Sequence, residues 1–225
     1  MQSLIAACLF FLGMHWIISG SPLRTPIVNL IGEKLFKTLF SLSIFVAIGW
    51  MAMAYANAPD LPTWGTVVQL KPVSLVLMLL AFLMITTGAT DKNPTTLGLV
   101  PPDQVEARGM VRITRNAGLF GLGLWGLAHL IVNGDVASHW LYGTFAFQGL
   151  IAPLNMERKY RARYGEAWTK FTDQTSYIPF AAIIAGRNKL VIRELNIWGA
   201  LTGLALFLLL LWFHQSWFGV SPLSY

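Results

Sequence analysis

RITRNAGLFGLGLWGLAHLIVNGD, residues 112–135, decides how this chain folds. It opens on Arg112 and Arg115 and runs through an apolar stretch with glycines at 118, 121, 123 and 126. His129 stands near its far end, and Asn133-Gly134-Asp135 closes it. Hydrocarbon cannot solvate an imidazole, so His129 in a membrane-spanning run needs a partner: another helix, a metal, a cofactor or a water cavity. A structural hydrogen bond between helices is one answer and ligation is another. Asn-Gly-Asp is turn chemistry, because glycine adopts positive φ and the flanking side chains bond local backbone. The helix that follows must return antiparallel.

Outward from that hairpin, the composition bounds the rest. A chain of 225 residues that is 55% hydrophobic and 12% charged is too apolar for an ordinary soluble domain and too long for a single anchor. Apolar runs near spanning length occur at Ser3–Ile18, Leu39–Ala56, Val73–Ala89, Ala117–Val132, Val136–Leu154 and Leu195–Phe218. They predict an all-α polytopic membrane bundle, one domain over 1–225, with about six transmembrane helices. The first run lacks a basic leader and a small-residue cleavage site, so it is expected to stay as the first helix.

Fifteen of the sixteen Lys and Arg fall in alternate connections, and only Lys71 falls in the others. By the positive-inside rule the basic connections are cytoplasmic and both termini lie outside. The formal charge of +6 is then explained by topology and anionic lipid, and no nucleic acid partner is expected. Cys8 is the single cysteine, which excludes a disulfide framework and a CxxC metal site. GxSxG, HExxH and P-loop motifs are absent. The stretch from Asn155 begins as a basic amphipathic helix, with Tyr160, Tyr164 and Trp168 at four-residue spacing and suited to the headgroup boundary. Asp91–Arg108, with three prolines, reads as irregular, and Ile178–Ala185 as too short to span.

Four histidines are candidates for chemistry. His15 falls within about a turn of the inner boundary, whereas His129 lies fourteen residues past Arg115, roughly 20 Å along a helix. His139 and His129 are equidistant from Gly134, so the hairpin allows a second, outer metal or haem site that His214 could join. His139 and His214 also sit near tryptophans, where headgroups and water satisfy an imidazole. The glycines permit close helix packing, or the approach of a flat ring over Gly126 one turn before His129.

Several short stretches together resemble the NnrU family of bacterial membrane proteins and its relative, zeta-carotene isomerase. They are His15, GEKLFKTLFSL at Gly32–Leu42, Arg112 and Arg115, LWGLAHL at Leu124–Leu130, NGD at Asn133–Asp135, GEAW at Gly165–Trp168 and TSYIPF at Thr175–Phe180. The resemblance implies haem b held by His15 and His129 as its metal ligands. It implies redox or cis/trans isomerisation of a hydrophobic small molecule, or a link to nitric oxide and denitrification metabolism, in a bacterial inner (plasma) membrane. The family's Arg-His-Pro is here Arg115-Asn116-Ala117, and its cysteine three residues before the second ligand is here Gly126. A second resemblance, to isoprenylcysteine and phospholipid methyltransferases, implies an S-adenosylmethionine pocket among Arg112, Arg115, Asn116, Glu157 and Glu166. A third reading is a non-catalytic subunit or assembly factor of a membrane complex.

Overall fold

A computed structural model describes residues 1–96 and 100–223. The helices are α1 (Gln2–Gly13), α2 (Arg24–Ile31), α3 (Glu33–Ala56), α4 (Lys71–Thr90), α5 (Met110–Ile113), α6 (Ala117–Leu130), α7 (Val136–Tyr164), α8 (Glu166–Gln174), α9 (Ala181–Ile184) and α10 (Ile197–Phe218). Their neighbours run in the order α10, α4, α6, α7, α1, α3, with α3 also touching α7. The α6–α7 hairpin that the opening stretch predicts is the centre of the molecule. Among the described residues three helical stretches are long and apolar enough to cross a membrane: Glu33–Ala56, Val68–Thr90 and Ile197–Phe218.

The other predicted spans are helical but fall short of that measure for a physical reason. Gln2–Ile18 and Ala117–Leu130 are apolar but shorter. The first half of α7 carries Ser138, Thr144 and Gln148, all buried. Each is satisfied inside the protein or packed in it: the Tyr55 and Ser138 hydroxyls lie 3.0 Å apart, and the Trp16 indole N–H donates to Gln148 Oε1 at 3.0 Å. A helix surrounded by protein need not be as apolar as one surrounded by lipid. At the edge of the row, α10 exposes Trp198 at its start and Trp212 and Trp217 at its end, the placement expected of interfacial anchors.

Glycine sets the spacing of the centre. A Cβ at Gly126 would lie 2.6 Å from the Ala146 nitrogen and the Tyr142 carbonyl oxygen, and one at Gly149 would lie 2.2 Å from the Gly123 nitrogen. These contacts are backbone against backbone, so α6 and α7 pack at the closest approach that helices allow. The face of Gly126 is therefore filled by α7, so of the two readings of this glycine the structure realises close helix packing and leaves no room for a flat ring there.

Asn133–Asp135 is more than a turn. It pairs antiparallel with Pro62–Thr66, the two forming strands β2 and β1, with Gly65 opposite Gly134. Gly134 is required because a Cβ there would lie 2.3 Å from the Trp64 ring. No strand signal is readable at β1, whose residues are mostly exposed and whose five-residue length offers no alternating pattern.

At the opposite, basic end, the predicted amphipathic helix is corrected in its boundaries. Residues 155–164 are the last turns of α7, Gly165 breaks the helix at φ +52°, and Trp168 belongs to α8. Tyr160, Tyr164 and Trp168 still meet, with ring centroids 5.7 and 5.0 Å apart. Asp91–Arg108 is irregular apart from a 3-10 turn at Pro102–Gln104, its residues Leu97–Leu99 lying outside the described residues. Within Ile178–Ala185 only α9 is helical, with Ile178 and Ile184 exposed.

Candidate functional site

Two histidines are prepared in the same way on two different helices. His15 Nδ1 is 2.9 Å from the Phe11 carbonyl, and His129 Nδ1 is 2.9 Å from the Trp125 carbonyl. A carbonyl can only accept, so Nδ1 carries the proton and Nε2 carries the lone pair. Neither Nε2 has a hydrogen-bond partner among the described residues. This is how a ligating histidine is held: its second nitrogen is anchored and its coordinating nitrogen left available. His15 stands in a π-helical turn, Met14–Ile18, that ends the first helix. Single π turns are frequent at functional sites because they re-aim one side chain.

Each histidine is preceded, four residues earlier, by an aromatic residue whose carbonyl holds it, and the rings make contact. Phe11 and His15 are 4.4 Å apart, and Trp125 and His129 are 4.6 Å apart. Phe145 of α7 joins the two pairs, 5.5 Å from Phe11 and 5.3 Å from Trp125. Tyr142 stacks on His129 at 4.3 Å and 11°, Tyr55 meets Tyr142 at 5.7 Å, and Phe40 meets His15 at 5.3 Å. The result is a belt of rings over α3, α1, α7 and α6 with a histidine toward each end. Most of its members are half-buried.

With α7 as a ruler, the two histidines are nearer in depth than the sequence suggests. Trp16, next to His15, pairs with Gln148, and His129 stacks on Tyr142. Six residues of α7 separate these levels, about 9 Å at 1.5 Å per residue. The fold does not bring the imidazoles together, because Phe11, Phe145 and Trp125 stand between them. Each imidazole fits haem as a donor, by tautomer and apolar surroundings, and the two occupy opposite ends of one ring-lined face.

The second, outer metal or haem site is not formed. His139 stacks on Trp64 at 4.4 Å with Thr63 nearby, and His214 Nδ1 bonds the Val220 carbonyl at 2.7 Å. Among the described residues no group of three metal-ligating side chains comes together. His139 is engaged by Trp64 and Thr63 of β1 and His129 by Trp125 and Tyr142, so equal distance from the turn does not pair them.

The five residues of the methyltransferase-like reading divide. Arg115 forms a 2.6 Å ion pair with Glu157, and Asn116 follows it in the chain. Arg112 instead bonds Glu194 at 2.7 Å and Asn188 at 2.5 Å. The Arg112 hydrogen bond holds the Glu194 carboxyl below its ordinary value of 4.5. Glu166 is exposed and pairs with Lys170. Nearby, burial pushes the Tyr160 hydroxyl up to about 12.

Phe11, Trp125, Tyr142 and Phe145 were not singled out from the sequence. The signal available was the aromatic-x-x-x-histidine spacing repeated at Phe11–His15 and Trp125–His129, which places ring and imidazole on one helix face.

The 15-cis-zeta-carotene isomerase, chloroplastic, of Zea mays is 37% identical over 91 residues, covering 36% of this chain and 22% of that protein. The protein of the same name from Arabidopsis thaliana is 39% identical over 83 residues, with the same coverages of 36% and 22%. The chain thus spans about a fifth of the length of these relatives. No solved structure matches it. The NnrU protein family matches residues 3–222, nearly the whole chain, and this protein belongs to the NnrU family.

Proposed function

We propose that this protein is an isomerase-like membrane enzyme that takes a long conjugated hydrocarbon onto the ring-lined face between His15 and His129. The observation that carries the reading is the belt itself, whose members Phe11, Phe145, Trp125 and Tyr142 lie 4.3–5.5 Å from their ring neighbours. A polyene is flat, apolar and polarisable, and it gains both burial and stacking on such a surface. The names of the curated relatives support that substrate class.

With Phe11, Phe145 and Trp125 parting the two imidazoles, one of them, His129, would hold haem b, which when bound supplies an iron that changes oxidation state. The chain's own residues do the rest. The Phe11 and Trp125 carbonyls fix the tautomer of each imidazole, Tyr142 fixes the plane of the His129 ring, and the surrounding rings exclude water. Six crossings with both termini outside belong to the same proposal, supported by a central α7 whose polar side chains are buried in protein. A role near nitric oxide and denitrification metabolism in a bacterial inner membrane follows from the family resemblance alone.

The test is to incubate the protein, purified after haem-replete expression and placed in lipid nanodiscs, with a 15-cis polyene and separate the isomers by chromatography. Conversion to the trans isomer is expected, with His129→Leu slowing it about a hundredfold and removing the haem absorbance while His214→Leu changes neither. No conversion by the haem-loaded protein, or full conversion by His129→Leu, would overturn the reading.

A further inference from the structure

The basic end holds a group of polar atoms that the isomerase reading does not use. Asn116 is 2% exposed and Trp168 is fully buried, yet among the described residues Asn116 Nδ2, Asn116 Oδ1 and Trp168 Nε1 have no hydrogen-bond partner. Buried polar atoms are nearly always paired, and each unpaired one costs about 1–3 kcal/mol, so these three, on the two residues that flank Arg115 in the chain and in space, call for an explanation.

Arg115 connects them. It precedes Asn116 in the chain, and its guanidinium lies 5.9 Å from the Trp168 ring centroid, bonded to Glu157 at 2.6 Å and Thr175 at 3.4 Å. Asn116 is the N-cap residue of α6, and its side chain makes no capping bond. The first N–H groups of a helix have no intrahelical acceptor, and their partial positive charge favours an anion. Asn116 Nδ2, Trp168 Nε1, the first α6 N–H groups and Arg115 are all donors. Asn116 Oδ1 and Glu157 are acceptors, and the Glu157 charge is taken up by Arg115.

We propose that the N-terminus of α6, with Asn116, Arg115 and Trp168, is a binding site for a phosphate-type oxyanion, independent of the aromatic belt. Donors outnumber acceptors there, and a helix N-terminus with an adjacent guanidinium is a recurrent setting for phosphate. The phosphate comes either free from solution or from a lipid headgroup. The second source is reachable because the amphipathic turns Tyr160–Trp168 sit beside the site.

The experiment uses the full chain and follows the indole N–H resonance of Trp168 by nitrogen-edited NMR, assigned by its absence from Trp168→Phe. In a phosphate-free sugar detergent, added inorganic phosphate is expected to move that resonance saturably. Asn116→Leu and Arg115→Lys are each expected to weaken half-saturation about tenfold, the loss of hydrogen bonds to a charged ligand. Arg115→Lys keeps the buried charge, so it reads the site even where a neutral substitution unfolds the chain. A shift with inorganic phosphate assigns the free ion. A shift seen only on transfer to phospholipid nanodiscs assigns the headgroup, with sulfate-free glycolipid nanodiscs as the control. A resonance that moves in neither medium, or moves equally in Asn116→Leu, overturns the proposal and leaves ordered water as the partner.

Discussion

Helices α6 and α10 are both strongly apolar, and both carry a histidine beside aromatic residues near their far end, yet they do opposite work. α6 lies between α4 and α7 and buries Ala117, Gly121, Gly123, Gly126 and Ala128. α10 lies at the edge of the row, buries only Gly199 and Gly203 among its described residues, and shows Trp198, Trp212 and most of its leucines to the surroundings. Their histidines follow suit. His129 is stacked between Trp125 and Tyr142 inside the protein, whereas His214 bonds the Val220 carbonyl in the chain that follows its helix. Apolarity places a helix in the membrane, and the distribution of its small residues decides whether other helices surround it.

The sharpest way to break this comparison is to add one methyl group. Gly149→Ala puts a Cβ 2.2 Å from the Gly123 nitrogen, and because backbone cannot rotate away, a loss of about 3 kcal/mol is expected. Gly199→Ala at the edge meets the Thr90 hydroxyl at 2.7 Å, a side chain that can turn, so about 1 kcal/mol is expected. Gly143→Ala has nothing within 4 Å and serves as the neutral control. Thermal unfolding in mild detergent ranks the three, and equal losses at Gly149 and Gly199 would erase the distinction between centre and edge.

The histidines give the next largest difference. His129→Ala removes a ring packed against Trp125 and Tyr142 and should cost about 2 kcal/mol as a cavity and lost stacking. His214→Ala, on α10 at the edge of the row and bonded to the Val220 carbonyl, should change stability by less than about 0.5 kcal/mol. The same unfolding assay decides, and a larger loss at His214 would sink the comparison.

The smallest effect lies at the basic end, where Arg112 ties the turn preceding α10 through Glu194. Glu194 has its folded value below the ordinary 4.5 because of the Arg112 hydrogen bond. A depressed carboxylate stabilises fully above its unfolded value and loses that contribution as pH falls through the folded one. Hydrogen exchange at Gly109, whose N–H donates to Glu194, should therefore be constant from neutral pH down to about 4.5 and accelerate below, beyond the intrinsic pH effect. Acceleration that begins well above that value would assign the change to another group.

How much was legible follows from the same physics. The apolar helices and the hairpin at Asn133–Asp135 could be read directly, because hydropathy and turn chemistry are local properties of the chain, whereas His15 and His129 were paired as ligands by the family resemblance. Gly126 was legible as a packing residue or as room for a flat ring, and only the fold chose, by setting the Ala146 and Tyr142 backbone against it. The β1–β2 pairing, the separation of His139 from His129 and the ring belt through Phe145 join residues far apart in sequence. No local pattern encodes which faces of α1, α6 and α7 meet. The sequence by itself determined that this chain has helices long and apolar enough to cross a membrane and which side chains need partners there; the tertiary structure decided who the partners are, because close packing admits one arrangement of faces and the sequence states only their composition.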